Sequence, residues 1–343
     1  MKRITLLAPG KLELRKENRE LSLMDGMVKV RVSACGICGS DLALLNGTRD
    51  LSREKYFGHE FSGVVTEVSD TSCGFRPGMR VASELARTCG HCWHCRNGLP
   101  EYCRSMNDAL LPGGFAEETL VRSTPDYSFL SPIPDSLDDI TASLLEPTNC
   151  AYNFVMKAQI RPGDNVAVFG LGAMGIIAAI LLKKLGAGAV ICVGRRPVRQ
   201  EKARKTGIFD AVVGNDEAGR DCIRRLCGER GPDVVIEATG SPQVLSDAME
   251  IIRPGGRIVV ASVYHGTVPN FDPLPIFRKE LTVVGAKGPT AFPRSDGSSA
   301  VVHMISSIRE ELSRIISVYD YADALRAFED ARSGEAIKAV IRF

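Results

Sequence analysis

The stretch Val166-Ala167-Val168-Phe169-Gly170-Leu171-Gly172-Ala173-Met174-Gly175 decides the fold. Its four leading apolar residues predict a buried strand, and three glycines follow with the spacing G-x-G-x-x-G before an apolar helix that reaches Leu185. In this context the first glycine permits the turn, the second admits a pyrophosphate, and the third lets the helix pack on the strand. The amides at the start of the helix, around Ala173 and Met174, then face the phosphates. The stretch predicts a dinucleotide site, the alternative being a tight strand–helix turn without a ligand.

Strands and helices alternate on the carboxyl side of this stretch. Further apolar strands are predicted at Val190 to Val193, Val234 to Ala238, Arg257 to Ala261 and Leu281 to Val284, with helices between them. Continuous apolar strands that alternate with helices indicate a parallel, doubly wound sheet covered on both faces. Before Cys150 the sequence pattern instead predicts short strands, and the segment is rich in glycine. We therefore predict an α/β protein in which a doubly wound domain, residues 150–287, is inserted into a mostly β domain made of residues 1–149 and 288–343.

Composition excludes several classes of partner. The chain has 343 residues, 44% of them apolar and 24% charged, with a formal net charge of +2. Such a charge balance does not predict a basic surface that would bind nucleic acid. No run approaches the roughly 18 to 20 apolar residues that span a bilayer, and the apolar run Ile4 to Ala8 is too short for a signal-peptide core. We expect a cytoplasmic protein with a small-molecule substrate.

Four cysteines have metal-binding spacing. Cys89, Cys92, Cys95 and Cys103 follow the pattern C-x2-C-x2-C-x7-C within the lobe 87–105. Four thiolates close a tetrahedral coordination sphere, so a zinc ion held there is structural. Free thiols or an iron–sulfur centre are the alternatives, and the spacing favours zinc.

The end of the second strand in the α/β region bears on the choice of cofactor. Sites that prefer NAD(H) usually carry an acidic residue there, but this chain has Gly194-Arg195-Arg196, with Arg199 nearby. Guanidinium groups can grip a 2′-phosphate by bidentate contacts, so we expect NADP(H) to be preferred. The alternative is that the arginines face solvent and NAD(H) binds. Thr239, directly after one later strand, and Ala261, at the end of another, complete the predicted cofactor contacts.

Three widely separated side chains can hold a second metal. Cys38, His59 and Glu146 would supply a thiolate, an imidazole and a carboxylate, leaving one position open for water or substrate. Spacing alone does not distinguish this set from unrelated Cys, His and Glu residues.

At these residues the chain resembles the zinc-containing medium-chain dehydrogenases, most of all the sorbitol, threonine and butanediol dehydrogenase branch. The resemblance runs along the whole chain and rests on its motifs, namely Cys35-Gly36-Ile37-Cys38-Gly39-Ser40-Asp41, Gly58-His59-Glu60, the four-cysteine lobe, Glu146-Pro147, the glycine pattern and Glu237-Ala238-Thr239-Gly240. It implies a GroES-like catalytic domain, a Rossmann cofactor domain, an active site in the cleft between them, and two zinc ions per chain. Relatives of this branch are commonly dimers or tetramers that pair edge strands of the cofactor domain.

The resemblance also implies roles for single residues. Cys38 and His59 match ligands of the catalytic zinc. Glu60 and Glu146 match carboxylates that share the remaining coordination or hold the zinc-bound water, and which of them binds the metal stays open. Ser40 matches the hydroxyl that passes on the substrate proton, and Asp41 would orient a ligand. Cys35 matches no ligand and is expected to be buried.

Two departures from the family pattern affect the substrate. Ala43 stands where many relatives have the histidine that ends the proton relay, and the segment between Cys38 and His59 is several residues shorter than usual. A site with two carboxylates and a serine favours a hydrophilic secondary alcohol or its ketone, such as a polyol, a sugar derivative or a cyclitol. A substrate amino group facing Glu60, Glu146 or Glu117 is an alternative. The rival functions are a zinc-free quinone or enoyl reductase and a catalytically inactive nucleotide-sensing zinc protein.

Overall fold

The computed structural model describes residues 1–18, 21–49, 57–69, 74–84, 89, 91–99, 102–104, 113–124, 127–264, 271–289 and 300–343. The chain forms two compact units, one of residues 1–149, 289–309 and 316–343, the other of residues 150–288 and 310–315. The segment 310–315, which the sequence analysis assigns to the end of the first domain, lies with the second unit. There the guanidinium group of Arg314 donates to the carbonyl of Thr206 at 3.0 Å.

The elements follow one another along the chain in three groups. The first group is β1 (Lys2–Ala8), β2 (Lys11–Lys16), β3 (Met27–Gly36), α1 (Gly39–Leu45), β4 (Glu60–Val68), β5 (Arg80–Ser83), α2 (Trp93–Arg96), β6 (Glu118–Thr124), β7 (Tyr127–Ser128), β8 (Leu130–Pro132), α3 (Asp139–Ala142) and α4 (Leu145–Ala158). The second is β9 (Val166–Phe169), α5 (Ala173–Lys184), β10 (Val190–Val193), α6 (Pro197–Lys205), β11 (Ala211–Val213), α7 (Glu217–Cys227), β12 (Val234–Glu237), α8 (Pro242–Ile251), β13 (Arg257–Val260), α9 (Leu274–Arg278) and β14 (Thr282–Gly285). The third is α10 (Ala300–Ser307), α11 (Arg309–Ser313), β15 (Ile316–Asp320), α12 (Ala324–Ser333) and β16 (Lys338–Arg342).

The first unit is built on a mostly antiparallel sheet. Its strand order is β15-β16-β3-β4-β5-β8, with β6 also paired to β3. The register sets Gly36 opposite Glu60 across β3 and β4, and opposite Val340 across β3 and β16. The end of β3 therefore lies between the start of β4 and the middle of β16. This is where the predicted metal ligands Cys38, His59 and Glu60 fall.

The second unit contains a six-stranded parallel sheet. Its order is β11-β10-β9-β12-β13-β14, and each neighbouring pair is parallel. The order reverses between β9 and β12, and ligands bind at the carboxyl ends of the strands beside such a switch point. Val166, Val168 and their neighbours in β9 are almost completely buried, as a central parallel strand requires. The predicted fold class is confirmed.

Among the elements of the second unit that are missing from the sequence-based prediction are β11 and α7. The strand has only three residues, shorter than the runs of four to eight from which strands can be recognised. The helix is rich in charged residues, but Ile223 and Cys227 are four residues apart and buried. The Asp216 carboxylate caps it by accepting from the Gly219 amide at 2.9 Å. Over the part of the chain that the structure describes, none of the helices is both long and apolar enough to cross a membrane.

Candidate functional site

A buried carboxylate ties together the two segments that carry Cys38 and His59. Asp41, in the first turn of α1, accepts the backbone N–H of Cys38 at 2.8 Å and that of Gly58 at 3.1 Å. Gly58 has φ +79°, and a Cβ there would lie 2.6 Å from the amide nitrogen of Phe115, so only glycine fits immediately before His59. The Asp41 Oδ1 atom also lies 3.8 Å from His59 Nδ1. Asp41 is thus placed to orient both side chains.

Cys38, His59 and Glu60 converge. One ligand atom from each, the Sγ, a ring nitrogen and a carboxylate oxygen, lies within 4.8 Å of the other two. A tetrahedral zinc with bonds of about 2.0 to 2.3 Å needs its ligand atoms roughly 3.3 to 3.8 Å apart. The donor set fits zinc in chemistry and, after small side-chain adjustments, in spacing. Three protein ligands leave one tetrahedral position open.

Negative charge surrounds the buried imidazole of His59. Burial, the largest influence, lowers the pKa of His59, but attraction and hydrogen bonding to Cys38 act against it, and the net pKa lies well above its ordinary value. Asp41 and Glu146 raise the pKa further in the same direction. Glu146 is buried in the first turn of α4. A dication would neutralise this concentration of acidic groups.

Glu60 has a cationic partner that the sequence analysis missed. The Lys338 ammonium donates to Glu60 Oε2 and, at 3.0 Å, to the carbonyl of Ile37, and both side chains of the ion pair are 1% exposed. Burial lowers the pKa of Lys338, but Glu60 and Cys38 outweigh it and raise that pKa above its ordinary value. The signal in the sequence was a single lysine within the apolar run Ala336 to Ile341. Lys338 thus holds one oxygen of the carboxylate that belongs to the ligand cluster.

Two adjacent residues at the end of β5 support the ligand-bearing segments, and sequence reasoning missed them too. The hydroxyl of Ser83 donates to the carbonyl of His59. The next residue, Glu84, is buried, and its carboxylate accepts a hydrogen bond from the side-chain amide of Asn149 at 3.3 Å. Asn149 lies on α4, one helical turn after Glu146. Two polar residues at the end of a short strand and directly after it form no recognisable motif, so only the fold could reveal their roles.

The remaining predicted residues of the first unit have different surroundings. Ser40 is half-buried in the first turn of α1, two residues after Cys38. Cys35 is fully buried, as expected, and burial raises the pKa of its thiol well above the ordinary value. Glu117 accepts the backbone N–H of Lys2 at 2.6 Å and pairs with its ammonium at 3.2 Å, so this carboxylate is engaged next to β1. Much of the unusually short segment before His59, residues 50–56, lies outside the described residues.

The four lobe cysteines form a second cluster. Their Sγ atoms lie within 4.8 Å of one another, at 3.5 Å for Cys92–Cys95, 3.6 Å for Cys89–Cys103 and 4.0 Å for Cys89–Cys95. Four sulfurs about 2.3 Å from a tetrahedral zinc are roughly 3.8 Å apart, so the spacing fits. Hydrogen bonds from the backbone amides of Cys95 and Arg104 lower the pKa of Cys92 to about 5, which favours the thiolate. Residues 87, 88, 90, 100, 101 and 105 of the predicted lobe lie outside the described residues.

A cavity of about 370 Å³ opens at the switch point of the parallel sheet. Gly170 and Gly172 line it, and Gly170 has φ +120° with its position for a Cβ only 2.7 Å from the carbonyl oxygen of Ala238. A Cβ on Gly175 would lie 2.0 Å from the carbonyl oxygen of Gly170, which makes the third glycine necessary for close packing of α5 on β9. The pattern G-x-G-x-x-G therefore forms the predicted turn at the cavity.

The arginines lie along the same cavity. Gly194, Arg195, Arg196 and Arg199 all line it. Burial, with a smaller contribution from Arg196, lowers the pKa of Arg199 to about 10, and its Nε is buried without a hydrogen-bond partner among the described residues. A guanidinium that is partly desolvated and unsatisfied is suited to an anion.

Thr239 also lines the cavity, whereas Ala261 is not among the lining residues. The buried carboxylate of Glu237, the first residue of the Glu237-Ala238-Thr239-Gly240 motif, shapes the loop. It accepts from the amides of Thr239 at 2.6 Å and Gly240 at 3.2 Å, and from the hydroxyl of Tyr264 at 2.6 Å.

Known proteins resemble this chain over both units. The family of alcohol dehydrogenase GroES-like domains matches residues 24–135, and the family of zinc-binding dehydrogenases matches residues 173–306. Sorbitol dehydrogenase of Bacillus subtilis is 32% identical over 69% of this chain and 68% of its own length, and L-threonine 3-dehydrogenase of Chelativorans is 30% identical over 94% and 92%. The structure of 2R,3R-butanediol dehydrogenase from Bacillus subtilis superposes with a TM-score of 0.79 and 26% identity, over 100% of this chain and 99% of that one. The chain belongs to the zinc-containing medium-chain alcohol dehydrogenase superfamily, in the branch that resembles the sorbitol, threonine and butanediol enzymes.

Proposed function

We propose that this chain is a zinc-dependent oxidoreductase that transfers hydride between NADP(H) and a secondary alcohol or the matching ketone. The observation that carries the proposal is the convergence of Cys38, His59 and Glu60, three ligand atoms of the types that zinc prefers, in a chain that also has a dinucleotide cavity. This ligand cluster favours a zinc enzyme over a zinc-free reductase of the same fold. The same cluster argues against a catalytically inactive nucleotide sensor, because such a protein does not need a zinc site with an open coordination position.

We assign different roles to the residues in and around the cluster of Cys38, His59 and Glu60. Zinc in an open three-ligand site supplies Lewis acidity, which lowers the pKa of a hydroxyl or polarises a carbonyl. We assign Cys38, His59 and Glu60 as its ligands. Lys338 keeps one oxygen of Glu60 engaged, so that one carboxylate oxygen remains for the metal. Glu146, close to His59 but outside the compact ligand set, is assigned to hold the water or the substrate hydroxyl.

We assign proton transfer to the hydroxyl of Ser40. This hydroxyl, two residues from Cys38, can accept the proton of the substrate hydroxyl and pass it on, an assistance worth about 10²- to 10⁴-fold. Because Ala43 cannot continue the chain of proton carriers, we propose that the proton leaves through the cofactor ribose or through water.

We assign a polyhydroxylated substrate, namely a polyol, a sugar derivative or a cyclitol. The acidic groups Glu60 and Glu146 and the hydroxyl of Ser40 suit a substrate with several hydroxyl groups, and relatives named for sorbitol and butanediol support the class. The test is a panel of polyols, cyclitols and their ketones, each followed by nicotinamide absorbance with the zinc-loaded protein. Turnover of simple long-chain alcohols in preference to all of these would contradict the assignment.

The lobe cysteines are assigned to a structural zinc, so that each chain holds two zinc ions. Four thiolates leave no open position for a substrate. The short Sγ–Sγ distances and the low pKa of Cys92 support this assignment.

Replacing Arg195 and Arg196 together by alanine should abolish the preference for NADP⁺. Both arginines line the cavity at the end of β10, where sites that select NAD⁺ usually carry an acidic residue. We expect the dissociation constant of NADP⁺ to rise about 10- to 100-fold while that of NAD⁺ changes little, because only NADP⁺ carries the 2′-phosphate. Calorimetric titration of both cofactors measures this.

Lys205→Ala is the matched control. It removes one positive charge from α6, the helix that follows the two arginines, but its side chain pairs with Glu201 at 3.3 Å and Lys205 does not line the cavity. It should leave the ratio of the two dissociation constants unchanged. Equal affinities of the parent protein for NADP⁺ and NAD⁺ would refute the cofactor assignment.

We also propose a homo-oligomer formed through β14. This strand is the last in the order of its sheet, and Val283 on it is 39% exposed. The nearby α9 exposes Phe277 (82%) and Leu274 (41%), which adds apolar surface on the same unit. Val283→Asp should convert the oligomer to a monomer in light scattering coupled to size-exclusion chromatography, whereas Val198→Asp, on exposed α6, should not. A monomeric parent would rule the proposal out.

A further inference from the structure

Glu84 is a buried carboxylate that the chemistry proposed above does not use. It directly follows β5, and only 4% of its surface is exposed. The hydroxyl of Ser131, on β8, donates to its Oε2 atom, and the side-chain amide of Asn149, on α4, donates to its Oε1 atom at 3.3 Å. Burying a carboxylate costs more free energy than burying a neutral amide, so hydrogen bonds to both oxygens must offset that cost. Each oxygen of Glu84 therefore ties a different element to the end of β5.

Asn149 connects Glu84 to the start of α4. It lies three residues after Glu146, and residues three apart on a helix are neighbours on its surface. Both side chains are buried, that of Asn149 completely. A hydrogen bond that holds Asn149 limits the rotation of the helix about its axis and its sliding along that axis. The same hydrogen bond therefore limits the positions open to the Glu146 carboxylate.

Ser83, the residue before Glu84, holds the segment that carries the assigned zinc ligands. Its hydroxyl donates to the carbonyl of His59 and accepts the backbone N–H of Phe61 at 3.0 Å. These two contacts lie on either side of Glu60. The dipeptide Ser83-Glu84 thus joins the ligand segment to the start of α4, through contacts that all lie within the first unit.

We propose that Glu84 is a positioning residue for Glu146 and acts on it through Asn149. It fixes the distance between the Glu146 carboxylate and the ligand segment, so that this carboxylate can hold the water or the substrate hydroxyl. Glu146 is close enough to the His59 ring for its charge to act on that ring. A shift of about 1 Å at a group that orients a reactant can cost about 10²-fold in rate. The role rests on the function proposed above, in which Glu146 acts beside the metal.

Asn149→Asp tests the link by placing one carboxylate against another. It keeps the size of the side chain but replaces the donor to Glu84 by an acceptor, so α4 should shift and kcat with a polyol should fall about 10- to 100-fold. Asn149→Ala, which removes the donor without adding a charge, should lower kcat less. Combining Asn149→Asp with Glu84→Gln exchanges donor and acceptor, because the new amide at position 84 can donate to the new carboxylate at position 149. This double variant should recover kcat to within about 3-fold of the parent value.

The loss of kcat should depend on Glu146. In chains that already carry Glu146→Gln, Asn149→Asp should lower kcat by no more than about 3-fold, because the carboxylate that it displaces is gone. A merely structural role would lower kcat by the same factor in both backgrounds. Asp138→Ala is the control, because it removes the carboxylate that caps α3, just before α4, by accepting the Thr141 amide at 2.9 Å. It should lower the melting temperature and leave kcat unchanged.

Crystal structures of the parent and of Asn149→Asp give a readout that does not depend on turnover. We expect the Glu146 carboxylate to move by about 1 Å or more relative to Cys38 and His59. An unmoved carboxylate overturns the proposal, as does an equal loss of kcat with and without Glu146→Gln. If the parent oxidises no alcohol and reduces no ketone, the proposed function fails, while the displacement still decides whether Glu84 and Asn149 position Glu146.

Discussion

Cys38→Ser should lower kcat/KM by at least about 10³-fold and reduce the zinc content from about two ions to about one per chain. Cys38 contributes the single thiolate of the converging set with His59 and Glu60, and a serine hydroxyl is a far weaker zinc ligand at neutral pH. The lobe cysteines are untouched, so one ion should remain. Turnover with a polyol and metal analysis by mass spectrometry measure the two effects.

Cys35→Ala is the matched control for this substitution. Its thiol is fully buried three residues before Cys38, and we assign it to packing, so the variant should retain both zinc ions and most of the turnover. Binding of NADP⁺ should be unchanged in both variants, because the dinucleotide cavity is lined by residues of the other unit. Undiminished turnover in Cys38→Ser would refute the assignment of the metal ligands.

Lys338→Met should lower the free energy of unfolding of the zinc-free protein by about 3–5 kcal/mol. The ammonium of Lys338 and the carboxylate of Glu60 are each 1% exposed, and methionine would leave Glu60 charged, buried and without its cation. Bound zinc would offset part of that charge, so the loss should be smaller in the zinc-loaded protein. Urea unfolding followed by circular dichroism measures it, with fluorescence of Trp93, the single tryptophan, as a probe in the first unit.

The double variant Glu60→Gln/Lys338→Met separates the ion pair from simple packing. If the penalty comes from an uncompensated buried charge, the double variant should be more stable than Lys338→Met alone. The exposed pair of Arg342 and Asp320, on the same sheet, gives the comparison: Arg342→Met should change the stability by no more than about 0.5–1 kcal/mol. A loss that small for Lys338→Met would contradict a structural role for the buried pair.

The sequence predicted the elements whose signals are local. The glycine pattern, the apolar strands β9 and β10 and the four-cysteine spacing each lie within a short stretch, and the structure forms the predicted turn, sheet and sulfur cluster. Cys38 and His59 are 21 positions apart, and only the resemblance to a family joined them before the fold brought their ligand atoms together.

Contacts that depend on tertiary packing could not be predicted. Lys338 lies 278 positions from Glu60, and a lysine in an apolar strand gives no indication of its partner. Ser83 and Glu84 likewise support their neighbours through hydrogen bonds that no short motif encodes.

Anomalous diffraction at the zinc edge, from crystals of the active protein, tests the central assignment most directly. We expect two zinc peaks per chain, one among the lobe sulfurs and one about 2.3 Å from Cys38 Sγ and about 2.1 Å from a ring nitrogen of His59. A single peak, confined to the lobe of a protein that still turns over substrate, would contradict a catalytic zinc at Cys38 and His59.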